Sequence, residues 1–258
     1  MSLNFISDEN FRRHVIETIA QYGERLQAFD LKKFNANIVD PIKLLFDKNV
    51  YGTTWEDLIR SEIFRQRDKS NNNSIGYFHQ KIFQYIDGCT VPKSGWDVIF
   101  TKSGGIDLGG DTVGKLYVEM KNKHNTMNSS ASAKTYMKMQ AQLLSDDDCA
   151  CLLVEVIAKQ SQNVPWTISL DGQKQRHRRI RRVSIDKFYE LVTGEADAFY
   201  RLCMELPATI EHAVSDTNSA LVPQDTVFDE LKNSSADSFE LALYMLGFGT
   251  YSGFNADA

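Results

Sequence analysis

The sequence lacks the features that would assign the protein to a membrane, a secretory route or a structural metal site. No hydrophobic run in the 258 residues approaches the length of a membrane span, and the N-terminus has no apolar stretch typical of a signal peptide. The four cysteines form no Cys-x-x-Cys pair, and Cys149-x-Cys151 at the start of a predicted strand is more typical of two small core residues than of a metal site. We therefore expect a soluble cytoplasmic protein without a membrane partner.

An excess of positive charge is also missing, since the net charge is −5. This argues against a protein that coats nucleic acid through diffuse positive charge. The cations are nevertheless clustered, because six of the nine residues from 174 to 182 are lysine or arginine. Such a basic band is compatible with phosphate binding, and Arg176, Arg178 and Arg179 are our candidates for contacts with phosphates or guanines. The alternative is a solvated strand and turn.

The chain contains neither an internal repeat nor a linker long enough to divide it. Its length and its hydrophobic content of 42% suit one large domain with helices and strands. We predict a single domain over residues 1–258, with an N-terminal helical segment over about 1–50 and a C-terminal helical extension over about 208–258.

Caps and breakers predict the helices of this domain. We expect one helix over residues 7–34, with Val15, Ile19 and Leu26 on its apolar stripe, a short one over 42–46 and a third from Trp55 to about Arg67. Three consecutive asparagines indicate a polar turn over residues 68–74, after which a further helix covers residues 75–86. Near the C-terminus, Pro207 should end a helix. The stretch from Cys151 to Ala158 is almost continuously apolar, interrupted by Glu155, and predicts a central strand of the sheet.

The stretch from Gly95 to His124 predicts a β-hairpin with a glycine-rich turn over residues 103–110. Because side chains alternate across a strand, Glu119 and Lys121 share one face, and Asp97 joins them if the two strands pair. Two neighbouring carboxylates repel each other unless a cation lies between them, and oxygen ligands suit Mg²⁺, for which Mn²⁺ can substitute. A lysine beside the metal can polarise a water or stabilise negative charge. The alternative is a solvated strand face with no chemical role.

Aspartate followed by Glu-x-Lys on the next strand resembles the nuclease pattern PD-(D/E)XK, with Gly95-Trp96 in place of the usual proline. The longer phrase Glu119-Met-Lys-Asn-Lys-His-Asn-Thr-Met-Asn-Ser129 resembles a family of type II restriction endonucleases that cut GGNCC-like sites. The similarity covers roughly residues 40–210, with further phrases of the same family at residues 62–69, 75–80, 157–163 and 185–191.

The resemblance implies a fold, a site and an assembly. The fold would be α/β (α+β), with a restriction-endonuclease-like core in which helices flank a mixed β-sheet. Asp97 and Glu119 would be the metal ligands, Lys121 the catalytic lysine and Glu62 a candidate additional acid. The enzyme would be a Mg²⁺-dependent homodimer on double-stranded DNA in a bacterial cytoplasm, paired with a cognate DNA methyltransferase. The aromatic segment Leu241 to Phe254 is our candidate for the dimer interface or for core packing.

The polar stretch that follows the predicted catalytic strand is our second candidate for DNA contacts. A helix should begin there at Asn128 or Ser129 and end at Leu144, with the apolar residues Ala133, Met137, Ala141 and Leu144 on one side. One of its faces carries Ser132, Tyr136 and Gln140, and it either lines the DNA cleft or is solvated. The residues of this stretch that we expect to contact DNA are Lys123, His124, Asn125, Asn128, Ser129 and Lys134.

Two other functions fit the same residues. One is a nuclease of repair or recombination that cuts by DNA structure, and the other is a DNA-binding protein whose acids are structural. A metal-dependent plasmid digest separates the three, because they produce discrete bands, a smear or no cleavage. No Ser-His or Cys-His pairing is evident, so we expect hydrolysis without a covalent enzyme intermediate.

Overall fold

The computed structural model describes residues 3–25, 28–170, 172–217, 224–235 and 238–248. Its centre is a six-stranded sheet with the strand order β1-β2-β3-β4-β6-β5. The strands are β1 (Cys89–Thr90), β2 (Val98–Asp107), β3 (Thr112–Lys123), β4 (Cys149–Ile157), β5 (Asn163–Leu170) and β6 (Gln173–Ser184).

The sheet is mixed. The β2–β3 hairpin is antiparallel, β3 pairs with β4 and β4 with β6 in parallel, and β5 returns antiparallel to β6. The central position of β4 confirms the prediction from its apolar sequence, and its residues from Cys149 to Val154 are fully buried. Cys149 and Cys151 are therefore core residues, and burial raises the pKa of the Cys149 thiol to about 11.

The described chain also forms helices. A 3₁₀ turn over Ile82–Tyr85 follows α4. The helices are α1 (Asp8–Arg25), α2 (Leu31–Asn35), α3 (Pro41–Tyr51), α4 (Trp55–Lys81), α5 (Ser129–Ser145), α6 (Ile185–Thr193), α7 (Ala198–Thr217), α8 (Val227–Ser234) and α9 (Phe239–Phe248).

Two predicted boundaries in these helices are wrong. The predicted helix over 7–34 is two helices, because Asp30 adopts an extended conformation and caps α2 by accepting the N–H of Lys33. The predicted polar turn over 68–74 is part of α4, where Asn72 donates to Asp68 one turn earlier. Leu26, which we expected on the apolar stripe of the first helix, lies outside the described residues.

Helix α7 also continues through Pro207, where we expected it to end. Pro207 is exposed, so its ring faces solvent while the helix loses one backbone hydrogen bond. Leu202 before it and Ala213 after it are buried in the same core. Packing on both sides of the proline therefore outweighs its local cost.

In the hairpin, the predicted glycine-rich turn over 103–110 is shorter than expected. Strand β2 continues to Asp107, with an irregularity in its pairing between Thr101 and Ile106. Gly104 and Gly105 both have φ near +86°, a conformation that favours glycine, which is why the strand can bulge there.

The chain forms two compact units. The first comprises Met1–Ile19 and Ile75–Asp216 and contains the sheet. One sheet face packs against helices around Phe83, Phe188 and Leu202, and the other face packs against α5. The second unit comprises Ala20–Ser74 and Thr217–Ala258, and it is helical in its described part. Its core joins apolar side chains from five helices, namely Phe34, Leu44, Ile59, Val227 and Leu243.

Within the described ranges, no helix is long and apolar enough to cross a membrane.

Candidate functional site

Asp97, Glu119 and Lys121 meet at the start of the β2–β3 hairpin. Asp97 immediately precedes β2, and its N–H donates to the carbonyl of Val118 at 2.9 Å. Its Oδ2 accepts the N–H of Met120 at 2.7 Å, so the carboxylate is fixed beside the Glu-x-Lys motif. The two strands therefore pair in the register that the alternation of side chains required.

The carboxylate of Glu119 lies between two ammonium groups. Lys121 Nζ donates to Oε1 at 2.8 Å, and Lys138 Nζ donates to Oε2 at 2.8 Å. The Glu119 side chain is 18% exposed, so these are charge-assisted contacts in a partly desolvated site.

The pKa values of the two acids are shifted in opposite directions. Burial raises the pKa of Asp97 above its ordinary value, and the nearby charge of Glu119 raises it further. Burial also opposes ionisation of Glu119, but the hydrogen bonds and charges of Lys121 and Lys138 outweigh it and hold the pKa of Glu119 below its ordinary value. Neighbouring carboxylates whose pKa values are both perturbed by burial and by charged partners are a common feature of catalytic sites.

Lys138 is a member of this cluster that the sequence analysis did not identify. It reaches the site from α5 and also donates to the carbonyl of Gly95, and its Nζ lies 4.0 Å from the centre of the Trp96 ring. Trp96 Nε1 in turn donates to Gln142 of the same helix at 3.2 Å. Gly95-Trp96, which replaces the usual proline of the motif, thus fastens the loop before Asp97 to α5.

The predicted faces of α5 are wrong, which explains why Lys138 was missed. Tyr136 was expected on a polar face but is fully buried and packs edge-on against Trp166. Met137 and Leu144 were expected in the core, but they are 56% and 88% exposed. Turning the helix to bury Tyr136 and Met139 brings Lys138 to Glu119.

The donor set of the site suits a hard cation. In the described ranges, no group of three or more histidine, cysteine, aspartate and glutamate side chains is placed to hold a metal. The donors at this site are the carboxylates of Asp97 and Glu119, and both side chains are partly buried. Two carboxylates that leave most positions to water and substrate oxygens fit Mg²⁺ or Mn²⁺ and would not form a closed zinc site.

The residues of the polar stretch that we predicted to contact DNA lie at one end of β3 and at the start of α5. Asn128 is the N-cap of α5, since its Oδ1 accepts the N–H of Ala131 at 2.8 Å. Lys123, Asn125, Ser129 and Lys134 are exposed, and His124 is partly buried. The position of Asn128 or Ser129 as the start of this helix is confirmed.

A buried ion pair holds the same strand end. Glu155 is 1% exposed and binds Arg182 through both of its oxygens, with Arg182 Nε at 2.9 Å from Oε2. Arg182 also donates to the carbonyl of His124 at 2.9 Å, while the His124 N–H donates to Ile157. Glu155 was identified in the sequence as an interruption of an apolar strand, and Arg182 as part of the basic band, but nothing in the sequence connected them.

The basic band lies entirely on β6, and its arginines have different surroundings. Arg176 and Arg178 are exposed, although Arg178 is 3.0 Å from Asp111. Arg179 is held by two hydrogen bonds to Asp111 and one to the carbonyl of Asp147. Arg176 and Arg178 are therefore better placed than Arg179 to accept DNA as an additional partner.

Glu62, the candidate additional acid, is buried in the second unit. Arg65 binds both of its oxygens, at 2.6 and 2.5 Å, and Gln66 donates to Oε1 at 3.1 Å. Burial would raise the pKa of Glu62, but these partners hold it below its ordinary value. Gln66 also donates to the carbonyl of Phe34, so the group links α4 to α2.

The six-stranded mixed sheet with flanking helices confirms the predicted restriction-endonuclease-like core. Asp97 and the Glu119-x-Lys121 pair meet on its β2–β3 hairpin. Residues 3–215 match the model of the Eco47II restriction endonuclease family. The chain is 31% identical over 217 residues to the type II restriction enzyme Sau96I of Staphylococcus aureus, which covers 81% of this chain and 80% of that enzyme. It is 30% identical over 224 residues to the type II restriction enzyme Eco47II of Escherichia coli, which covers 83% of this chain and 89% of that enzyme. The chain belongs to the Eco47II restriction endonuclease family, which confirms the resemblance to type II restriction endonucleases.

Proposed function

We propose that the protein is a type II site-specific deoxyribonuclease that hydrolyses double-stranded DNA at a short GC-rich palindrome of the GGNCC type. Family membership supports the class of reaction. The observation that carries the proposal in the structure is the bond from the Met120 N–H to Asp97, which joins the aspartate to the Glu-x-Lys pair.

Asp97 and Glu119 would hold Mg²⁺, and Mn²⁺ could replace it. When bound, the metal supplies Lewis acidity at the scissile phosphate and makes a water more acidic. The Met120 N–H keeps the Asp97 carboxylate oriented for this task. Lys121 Nζ orients the attacking water or helps to remove its proton, and its charge stabilises the negative charge that develops on the phosphate oxygens. Direct attack by water requires no covalent enzyme intermediate. Glu62 stays a prediction as an additional acid.

The DNA partner follows from the two polar regions near this site. The exposed side chains of Lys123, Asn125 and Lys134 and the exposed arginines Arg176 and Arg178 would contact phosphates or bases. His124, Asn128 and Ser129 would contribute from the same strand end and helix start, and Arg179 would add its charge while it remains bound to Asp111. The protein would act in the bacterial cytoplasm, alongside a methyltransferase that protects the same DNA sites.

A two-fold homodimer is the simplest reader of a palindrome, because the two DNA strands present equivalent sites. Of the predicted interface Leu241–Phe254, residues Ala242 and Leu243 are buried in the core of the second unit, whereas Met245 is 43% exposed. Residues 249–254 lie outside the described ranges. Sedimentation of the protein, alone and on a duplex that it cleaves, should give a dimer, and a monomer under both conditions would contradict the proposal.

Plasmid digestion in Mg²⁺ followed by sequencing of the DNA ends tests the function directly. The wild type should produce discrete bands with a common end sequence. Asp97→Ala, Glu119→Ala and Lys121→Ala should lose cleavage while circular dichroism remains that of the wild type. Asp229→Ala, which removes an exposed acid on α8, should cut normally. Full cleavage by a folded Glu119→Ala protein would exclude this site.

The metal requirement is tested in the same assay. Mg²⁺ and Mn²⁺ should support cutting, and Ca²⁺ should support DNA binding with little cutting, because the ligands are hard oxygens. Cleavage that persists in excess EDTA would exclude the mechanism, and a smear without fixed ends would indicate a nuclease that does not read sequence.

A further inference from the structure

The two lysines that bind Glu119 differ in what else holds them. Lys121 lies two residues away on β3, and its Nζ donates to Oε1. Lys138 comes from α5 and donates hydrogen bonds to Oε2 and to the carbonyl of Gly95. Its ammonium group also makes a cation–π contact with the face of the Trp96 ring. A divalent cation that binds Glu119 must replace an ammonium group at one of these oxygens or share the oxygen with it.

We propose that Lys138 is a positioning residue that keeps Oε2 of Glu119 in place, so that Lys121 is the lysine that yields Oε1 to the metal. This inference rests on the proposed function, since it concerns the metal that Asp97 and Glu119 would hold. It assigns different tasks to the two ammonium groups, one fixed and one released.

The surroundings of Lys138 explain why it stays. The Trp96 ring that contacts Lys138 is held independently of Glu119. It donates a hydrogen bond to Gln142 and packs against Tyr117, with 5.5 Å between the ring centres. Leaving Glu119 would not free Lys138 from the carbonyl of Gly95 or from the ring face. Lys121 stands on a flexible four-carbon stem, and once it leaves Oε1 its charge is available to a water or a phosphate.

The proposal predicts two opposite effects of removing Lys138. A positive charge at 2.8 Å from Oε2, the other oxygen of the ligand carboxylate, weakens the binding of a second cation, so its loss should tighten metal binding, by about 3- to 10-fold. The same loss frees the Glu119 carboxylate to rotate, so cleavage should slow by roughly tenfold or more. A general folding defect would instead weaken metal binding and cleavage together.

The experiment is a titration of the full-length protein with Mn²⁺ in the absence of DNA, in which electron paramagnetic resonance measures the free Mn²⁺. Cleavage rates are measured on the same preparations. The variants are Lys138→Met, which removes the charge, and Lys138→Arg, which retains it and can reach the same acceptors. Lys93→Met removes the charge of an exposed lysine two residues before Gly95 and is the matched control for metal binding. Asp97→Ala identifies binding at the proposed site.

We expect Lys138→Met to bind Mn²⁺ more tightly and to cut more slowly, whereas Lys138→Arg and Lys93→Met keep the affinity of the wild type. Weaker or unchanged Mn²⁺ binding by a folded Lys138→Met protein would overturn the inference and leave the proposed function intact. Absence of Mn²⁺ binding by the wild type would overturn the metal site and the inference with it. If the wild type binds Mn²⁺ through Asp97 but cuts no DNA, the proposed function fails while the affinities still decide the role of Lys138.

Discussion

The carboxylate of Asp97 accepts the backbone N–H of Met120, the residue between Glu119 and Lys121, at 2.7 Å. This bond connects the end of a loop to the middle of the Glu-x-Lys motif, so the three side chains are positioned by the backbone of one hairpin. It also means that the aspartate has two separable properties, its charge and its acceptor oxygen.

Substitution of Asp97 should separate these properties. Asp97→Asn keeps an oxygen for the Met120 N–H but removes the charge, so we expect no detectable cleavage and a stability close to that of the wild type. Asp97→Ala should also lose cleavage and in addition destabilise the fold by about 1–2 kcal/mol, because a half-buried N–H loses its partner. Urea unfolding beside plasmid digestion measures both, and wild-type cleavage by Asp97→Asn would contradict a role for its charge.

The buried pair of Glu155 and Arg182 should be costly to break from one side. Arg182→Met leaves the carboxylate of Glu155, which is 1% exposed, without its charged partner, so the loss should be about 3–5 kcal/mol. Glu155→Gln combined with Arg182→Met should cost less than the sum of the single changes, since no buried charge remains. A double-mutant cycle in urea measures this coupling. Arg60→Met, in the exposed pair with Glu56, is the control and should change stability by about 0.5 kcal/mol or less. Additive effects of the two changes would contradict the prediction.

His79 should make the stability of the protein depend on pH. Burial, together with a smaller effect of the charge of His14, lowers the pKa of His79 from 6.5 to about 4. Because the folded pKa lies below the unfolded one, the unfolded chain binds the proton first, and stability is lost as the pH falls from about 6.5 towards 4. Between pH 7 and 4.5 this loss should be roughly 2 kcal/mol. His79→Gln should flatten the curve over this range, and His212→Gln, at an exposed histidine, should not. An unchanged slope in His79→Gln would refute the assignment.

The basic band should contain arginines with different roles. Arg176→Ala and Arg178→Ala should weaken DNA binding and lower the salt slope by about one unit for each phosphate contact that is lost. An arginine that reads guanine should instead cost roughly 1–3 kcal/mol on the cognate site and much less on random DNA. Arg181→Ala is the control, because this arginine on the same strand is bound to Asn163. Binding in Ca²⁺ across a salt series measures these effects, and unchanged affinities of all variants on both duplexes would show that DNA is held elsewhere.

Local rules were sufficient for the hairpin that carries Asp97, Glu119 and Lys121. The period of two along a strand places Glu119 and Lys121 on one face whatever surrounds them, and antiparallel pairing of the two strands in the observed register brings Asp97 beside them. The apolar run of β4 predicts a central strand because it needs cover on both faces, and Asn128 predicts the start of α5 because its side chain can bond the first free N–H groups. These are properties of neighbouring residues, so the sequence by itself determined them.

Tertiary packing decided the features that depend on distant partners. The rotation of α5, which buries Tyr136 and brings Lys138 to Glu119, follows from the apolar surface of Cys151, Leu153 and Trp166 beneath it. The continuation of α7 through Pro207 likewise depends on burial at both of its ends. The ion pair of Glu155 with Arg182 joins the parallel strands β4 and β6, and the two residues are 27 positions apart in the sequence. In each case the free energy comes from contacts that exist only after the chain has folded, whereas the local preferences of the same residues point elsewhere or to no single structure.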